Sequence, residues 1–260
     1  MSPPVAANTP AGHGGEWLRP DWPRVAGVQV VVTTRLLPGR SAPPFDRFNL
    51  GVRSGDDAAA VAANRADLVR RLSLPAPPRW LRQVHGIEVH DADAPAAQEP
   101  EADAMVARGA GIVLAILTAD CLPILLCADD GSVVAAAHAG WRGLAAGVIE
   151  ATLARMAMPG RRISAWLGPA ISASSYEVGD EVRGAFVERD AGAADAFAAT
   201  QPGHWRCDLP ALARRRLAAA GVVAIHGGGF DTFTDARFYS YRRERETGRF
   251  ASLIWRTREA

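Results

Sequence analysis

The 260-residue chain has no lysine, so all 29 of its basic residues are Arg. Arg and Ala codons are GC-rich and Lys codons are not, so the bias reads as a property of the coding sequence rather than as a phosphate-binding surface. Against 28 acidic residues the arginines leave a formal net charge of +1. That removes any general electrostatic case for nucleic acid or an anionic membrane. Cysteine is scarce: there are 3, at unrelated spacings, which is no disulfide framework and fits a reducing compartment. No apolar run approaches the roughly 20 residues of a membrane span. The opening MSPPVAANTPAGHGGEW lacks the basic and then apolar stretches of a signal peptide. These absences predict a cytoplasmic protein that engages neither nucleic acid nor membrane.

What is present is ordinary for a globular chain, 48% hydrophobic and 22% charged. The length suits one large domain or two small ones. Residues 1–15 are rich in Pro, Gly, Ala and Ser and are expected to form a disordered tail. No linker or repeat follows, so residues 16–260 are expected to form a single domain. The β-branched run Val25–Thr34 predicts a strand, and Asp56–Leu72 a helix capped by Asp56 or Asp57. Trp80–Val89 alternates like a strand. Gly111–Leu117, Leu122–Cys127 and Ser132–Ala137 predict buried strands, the last two joined by a turn at Asp129-Asp130-Gly131. Further helices are expected over Leu144–Met158, Asp180–Arg189 and Leu209–Ala220. Asp208 caps the last of these, Pro210 fits its first turn and Gly221 ends it. Ile163–Leu167, Val222–Ile225 and Phe250–Trp255 complete the strands. Strands outnumber helices and several are directly linked, which favours an α+β fold with mixed sheets over a doubly wound parallel one.

Three polar residues stand out at strand ends beside small or turn-forming residues: His85 in QVHG, Cys121 in ADCLP and His138 in HAGWRG. A thiolate and two imidazoles suit Zn²⁺ and leave a fourth position open, as catalytic sites do. The separations match no short-range zinc motif, and on spacing alone a buried structural Cys with satisfied His residues is the commoner outcome. Cys121 and His138 alone also read as a nucleophile and its base. Two His and one Cys suit blue copper if an axial Met, here Met105, is near. The chain has no His-x-His pair for a trinuclear copper centre. Asp120 is an acid/base candidate beside Cys121. Arg142 at a helix start, and Arg242 with Arg243 in SYRRER, are candidate anion contacts, although solvated charge is the commoner explanation of such clusters. His13, in the expected tail, His90 and His204 read as solvated, Cys127 as core, and His226-Gly-Gly-Gly as a turn.

Seven stretches in order, FNLG (48–51), WLRQVHG (80–86), TADCLPILLC (118–127), AAHAGWRGLAAGV (136–148), WLGPAI (166–171), YEVG (176–179) and FYSYRRERETGRFASLIW (238–255), resemble the bacterial laccase-domain family. That family is also called multicopper polyphenol oxidase, peptidoglycan editing factor or purine nucleoside phosphorylase-like. The resemblance covers nearly the whole chain after the tail. It implies a single-domain layered α/β/β/α sandwich with mixed sheets, and a metal site, usually taken as zinc, on His85, Cys121 and His138. It further implies phosphorolysis of purine nucleosides, with purine nucleoside and phosphate as ligands, and associated adenosine deamination. A peptidoglycan-precursor amidase using Cys121 and His138, a copper polyphenol oxidase and a non-enzymatic metal-binding protein are the alternatives. Asn49, Arg65 and Arg242 are assigned to ribose and phosphate by motif position and chemistry. One departure is visible: where many members carry Cys-Thr before SYRR, this chain has Asp231-Thr232, which removes a second cleft thiol.

Overall fold

In the computed structural model, residues 17–95 and 98–257 are described. The expected tail at 1–15 lies outside them. In chain order the strands are β1 Trp17–Leu18, β2 Val28–Thr33, β3 Val89–Asp91, β4 Ala104–Ala107, β5 Val113–Thr118, β6 Leu122–Ala128, β7 Val134–Ala139, β8 Ile163–Leu167, β9 Glu177–Gly179, β10 Phe197–Gln201, β11 His204–Cys207, β12 Ala224–Gly227 and β13 Phe250–Arg256. The α-helices are α1 Ala58–Arg71, α2 Trp141–Ala146, α3 Val148–Met156, α4 Asp180–Val187 and α5 Leu209–Ala219.

Two sheets stack as layers. One is four-stranded, β1-β2-β13-β5, and antiparallel throughout. The other is six-stranded, β12-β8-β6-β7-β4-β3, with parallel pairs only at its two edges. The period-2 alternation of each strand sorts its side chains between layers. From β6 and β7, Leu125, Cys127, Val134 and Ala136 face Leu114, Ile116, Phe250 and Ile254 of the four-stranded sheet. Their neighbours Ile124, Leu126, Ala135 and Ala137 face Leu144, Val148, Ile149 and Leu217 of the helices. On the far side of the four-stranded sheet, Val31, Val113, Ala115 and Leu253 pack on Leu68 of α1 and on Leu37, Phe48 and Leu50. The architecture is therefore the expected α+β fold with α/β/β/α layers. A three-stranded antiparallel sheet, β10-β11-β9, is appended.

The caps fall where side-chain chemistry puts them. Asp57 accepts from the amides of Ala59 and Ala60 at the start of α1, and Asp208 from that of Ala211 at the start of α5. The expected helix over Leu144–Met158 is instead two, α2 and α3, because Gly147 takes φ +118° between them. Trp80–Val89 is not a strand. Before Val89 starts β3 it holds a single isolated bridge, Arg82 to Glu101, with another just ahead of it from Arg79 to Leu114, and His85 adopts φ +63°. The amides of Val84, His85 and Gly86 are captured by the Asp103 carboxylate instead of by a neighbouring strand. β1, β3, β4, β9, β10 and β11 are strands not anticipated above, β3 sharing only Val89 with an expected one, and the expected Val222–Ile225 strand lies two residues later in β12. Asp57→Ala is expected to cost about 1 kcal/mol of stability, measured as a lowered urea midpoint with unchanged slope.

Candidate metal centre and its cavity

The site lies where the chain crosses between the two stacked sheets. β5 ends at Thr118 and β6 begins at Leu122, so Ala119, Asp120 and Cys121 make the crossing. Asp120 takes φ +93°, an uncommon conformation for a non-glycine residue. It is held there from three sides. Its carbonyl accepts from the Ile171 amide at 3.0 Å. Its buried carboxylate accepts from Thr232 Oγ1 at 2.7 Å and from the Arg242 amide at 2.6 Å. Both oxygens are thus engaged in aiming the turn that carries Cys121. Asp231, at the departure from the family pattern, accepts from the Ser172 and Phe233 amides and from Ser175 Oγ.

His138 comes from β7, the partner strand of β6, in register with Pro123. His85 comes from the irregular 80s segment. Their donor atoms and Cys121 Sγ all lie within 4.8 Å of one another. Cys121 Sγ is 3.8 Å from His85 Nε2, and the two imidazole centroids are 4.7 Å apart, edge to face. Tetrahedral zinc with bonds of about 2.0 Å to nitrogen and 2.3 Å to sulfur needs donors roughly 3.3–3.7 Å apart, so little movement is required. A soft thiolate, two imidazoles and an open side fit zinc. Among the described residues this is the only such group of donors. Met105 is fully buried between the sheets and does not line the cavity, so nothing in this arrangement adds an axial thioether.

Asp103 builds the surroundings of these ligands. It is fully buried. One carboxylate oxygen accepts from His138 Nδ1 at 2.8 Å and from the His85 amide at 2.9 Å. The other accepts from the Gly86 amide at 2.6 Å and the Val84 amide at 3.1 Å. Occupying Nδ1 of His138 leaves Nε2 as the ligating nitrogen. Glycines make room for the ligands. A Cβ on Gly140 would stand 2.7 Å from His85 Cδ2 and 3.2 Å from Cys121 Sγ, and one on Gly143 would meet the Gly86 carbonyl oxygen at 2.8 Å. The HAGWRG glycines therefore allow the start of α2 to approach the His85 loop.

The electrostatics match. Burial works to raise the pKa of Cys121, but the charge and hydrogen bond of His138, and then of His85, outweigh it and bring the thiol down to about 6. Burial likewise opposes the charged form of His138. The Cys121 thiolate and Asp103 overcome it, raising the imidazole to about 9. Burial opposes ionisation of Asp103 too, but hydrogen bonding to His138 and to the Gly86 and Val84 amides leaves it lowered. Cys127 and Cys207, buried without cationic neighbours of that kind, are pushed up to about 12.

The donors open onto a cavity of about 350 Å³ with Val52, Leu81, Leu117 and Tyr241 as apolar wall and Arg53 and Arg249 as its cations. Of the expected site residues, the structure brings His85, Cys121 and His138 together and redirects the others. Asn49 is fully buried and cannot reach a ligand. Its Oδ1 accepts from the amides of Gly51 and Arg249, and its Nδ2 donates to Ser54 and Asp56. Arg65 lies over Trp80, donating to the Leu50 carbonyl and to Glu99. Arg242 lies over Tyr176 and donates to the Glu177 carbonyl, outside the cavity lining. Arg243 is spent on the carbonyls of Thr232, Phe233 and Phe238, and Arg142 lies over Trp141. Sequence reasoning missed Asp103 and Arg249. Arg249 stood inside a quoted motif, and nothing in the stretch EADAM marks Asp103 off from its acidic neighbours.

Residues 29–257 match the family described as multi-copper polyphenol oxidoreductase laccase. The chain belongs to that family. A purine nucleoside phosphorylase of Xylella fastidiosa is 53% identical over 246 residues, 90% of this chain and 95% of that protein. Purine nucleoside phosphorylase YfiH of Escherichia coli K12 is 47% identical, covering 91% of this chain and 97% of that protein. Among solved structures, Neisseria meningitidis protein NMB0706 superposes with a TM-score of 0.90 at 43% identity, over 94% of this chain and all of that one. YlmD of Geobacillus stearothermophilus does so at 0.84 and 32% identity, over 95% of this chain and 98% of that one.

Two outcomes follow for the site. In metal-free protein near neutral pH, iodoacetamide is expected to label Cys121 rapidly, as read by peptide mass spectrometry. Labelling of Cys121 should fall as pH drops through about 6, with Cys127 and Cys207 protected throughout. Gly140→Ala displaces His85, and is expected to weaken zinc binding about 10–100-fold in a chelator competition, with the melting temperature of the metal-free protein little changed.

Proposed function

We propose that the protein is a zinc-dependent purine nucleoside phosphorylase acting on adenosine, inosine and methylthioadenosine, with adenosine deamination as a side activity. The reaction belongs to the cytoplasm, and the domain responsible spans 16–260. The observation that carries this reading is the His85–Cys121–His138 donor set opening onto a cavity with an apolar wall and two guanidinium groups. The names of the relatives given above support the same activity. Three unpaired cysteines agree with a reducing compartment. No helix among the described residues is long and apolar enough to cross a membrane.

Zinc held by these donors would supply Lewis acidity at the cavity edge. The chain's own residues do the rest. Val52, Leu81, Leu117 and Tyr241 provide an apolar wall suited to a purine ring. Asp103 keeps His138 in one orientation and one tautomer. Arg53 and Arg249 place positive charge where a phosphate dianion has to be brought against a ribose ring. In phosphorolysis a phosphate oxygen bonds to C1′ as the C1′–N9 bond breaks, the electron pair leaves on N9, and the purine takes up a proton. Deamination instead adds water at C6 and releases ammonia. The H-x-E and P-C-x-x-C signature of nucleobase deaminases is absent, so the chain would do this with different residues.

One observation favours a second reading. His138 is raised to about 9 by Cys121 and Asp103, and Cys121 is lowered to about 6. That pairing resembles a nucleophile, base and orienting carboxylate, as in a cysteine amidase acting on peptidoglycan precursors. An amidase of this kind would keep its activity after chelation.

The experiment is incubation of zinc-loaded protein with inosine or adenosine, with and without phosphate. Free base and ribose 1-phosphate are expected only when phosphate is present, with loss of at least about 10²-fold in Cys121→Ala. Base release independent of phosphate, or undiminished in Cys121→Ala, contradicts the reading.

A further inference from the structure

Of the two cavity arginines, Arg53 is 54% exposed and paired with Glu99 at 2.7 Å. Arg249 differs. It is half-buried, and among the described residues its guanidinium forms no ion pair. Its Nη1 donates to the carbonyls of Thr247 and Gly248 at 2.7 and 2.9 Å. Asp120, an acidic residue close enough to act on its charge, has both carboxylate oxygens taken by Thr232 and the Arg242 amide. Withdrawing a guanidinium from water without a carboxylate partner is costly. The chain nevertheless takes care to place it. Asn49 Oδ1 holds the Arg249 amide at 2.8 Å and the Gly51 amide at 2.9 Å, drawing the FNLG and TGRF segments together. A Cβ on Gly51 would stand 2.7 Å from Arg249 Cγ, so the absence of a side chain there lets the arginine lie along the cavity wall. Gly248 allows an equally close approach to the Tyr239 ring.

We infer that Arg249 is the oxyanion anchor of the cavity, binding inorganic phosphate through the guanidinium edge not used on the backbone, with Asn49 and Gly51 as its positioning residues. The fork geometry of a guanidinium suits two oxygens of a tetrahedral anion. Cys121 and, after it, Asp120 are the anionic groups that act on Arg249; a bound metal cation would take up the charge of the Cys121 thiolate and leave the guanidinium freer to pair with an entering anion. This inference rests on the phosphorolysis reading for its substrate but not for its binding site, and it turns the Asn49 of the sequence analysis from a ribose contact into a support for a phosphate contact.

The test compares zinc-loaded wild type with Arg249→Met, which keeps the length and removes the charge, and Arg249→Lys, which keeps the charge and removes the fork. Zinc content, the melting temperature with added inorganic phosphate, and separate KM values for phosphate and nucleoside are measured. In Arg249→Met the KM for phosphate is expected to rise at least about tenfold and stabilisation by phosphate to vanish. Zinc content and the KM for inosine should change less than about twofold. Arg249→Lys is expected to fall between Arg249→Met and wild type, and it decides the matter if Arg249→Met does not fold. Phosphate KM and phosphate stabilisation equal to wild type in the folded variants overturn the inference. If wild type shows no phosphorolysis, the functional reading fails alone. Phosphate stabilisation that depends on Arg249 would still uphold the anchor, and its absence from wild type would overturn it.

Discussion

The site depends on one buried carboxylate. Asp103 gathers three successive amides, Val84 to Gly86, and the Nδ1 of His138. Without that convergence the two histidines would belong to unconnected parts of the fold, one on β7 and one on a segment with almost no ladder of its own. The carboxylate also explains why His85 can adopt φ +63°. The strain, of order 1 kcal/mol, is offset by charge-assisted hydrogen bonds from the amides on either side of it. A residue outside the lining of the site cavity therefore sets the ligand geometry.

Around that anchor the layered fold supplies direction. β6 and β7 alternate so that one face meets the helices and the other meets the four-stranded sheet. His138 falls on the inner parity of β7 and Cys121 directly precedes β6, at the end where the chain crosses from β5 to β6. Asp120 fixes that crossing through Ile171, Thr232 and Arg242, so residues far apart in sequence share control of one thiol. Asn49 does the same for Arg249. The buried carboxylates here, Asp103 and Asp120, have both oxygens hydrogen-bonded, which is what a low-dielectric interior requires.

Much of this was legible in the residues. The apolar runs of β5, β6, β7 and β13, the caps Asp57 and Asp208, and the Asp129-Asp130-Gly131 turn announce themselves through local chemistry. The candidate metal donors stood out at predicted strand ends, but only the ordered motifs favoured them over a structural reading, because separations of tens of residues carry no geometric signal by themselves. The alternation of Trp80–Val89 misled, since period 2 does not reveal that a distant carboxylate takes the amides. Short strands such as β9 and β11 lack enough residues for a pattern. Asn49, Arg65 and Arg242 carry the right chemistry for ligand contacts. Burial and hydrogen bonding instead spend them on Arg249, Leu50, Glu99 and Glu177, and a sequence does not display that competition. The residue left over for an anion, Arg249, is recognised by what it does not pair with.

The account's central claim is that Cys121, His85 and His138 form one metal shell. X-ray absorption at the zinc edge of the loaded protein tests it most directly. The expected shell has a single sulfur at about 2.3 Å and nitrogen at about 2.0 Å, with the sulfur contribution lost in Cys121→Ser. A zinc shell without sulfur in the wild type, or a sulfur contribution that survives Cys121→Ser, would contradict it.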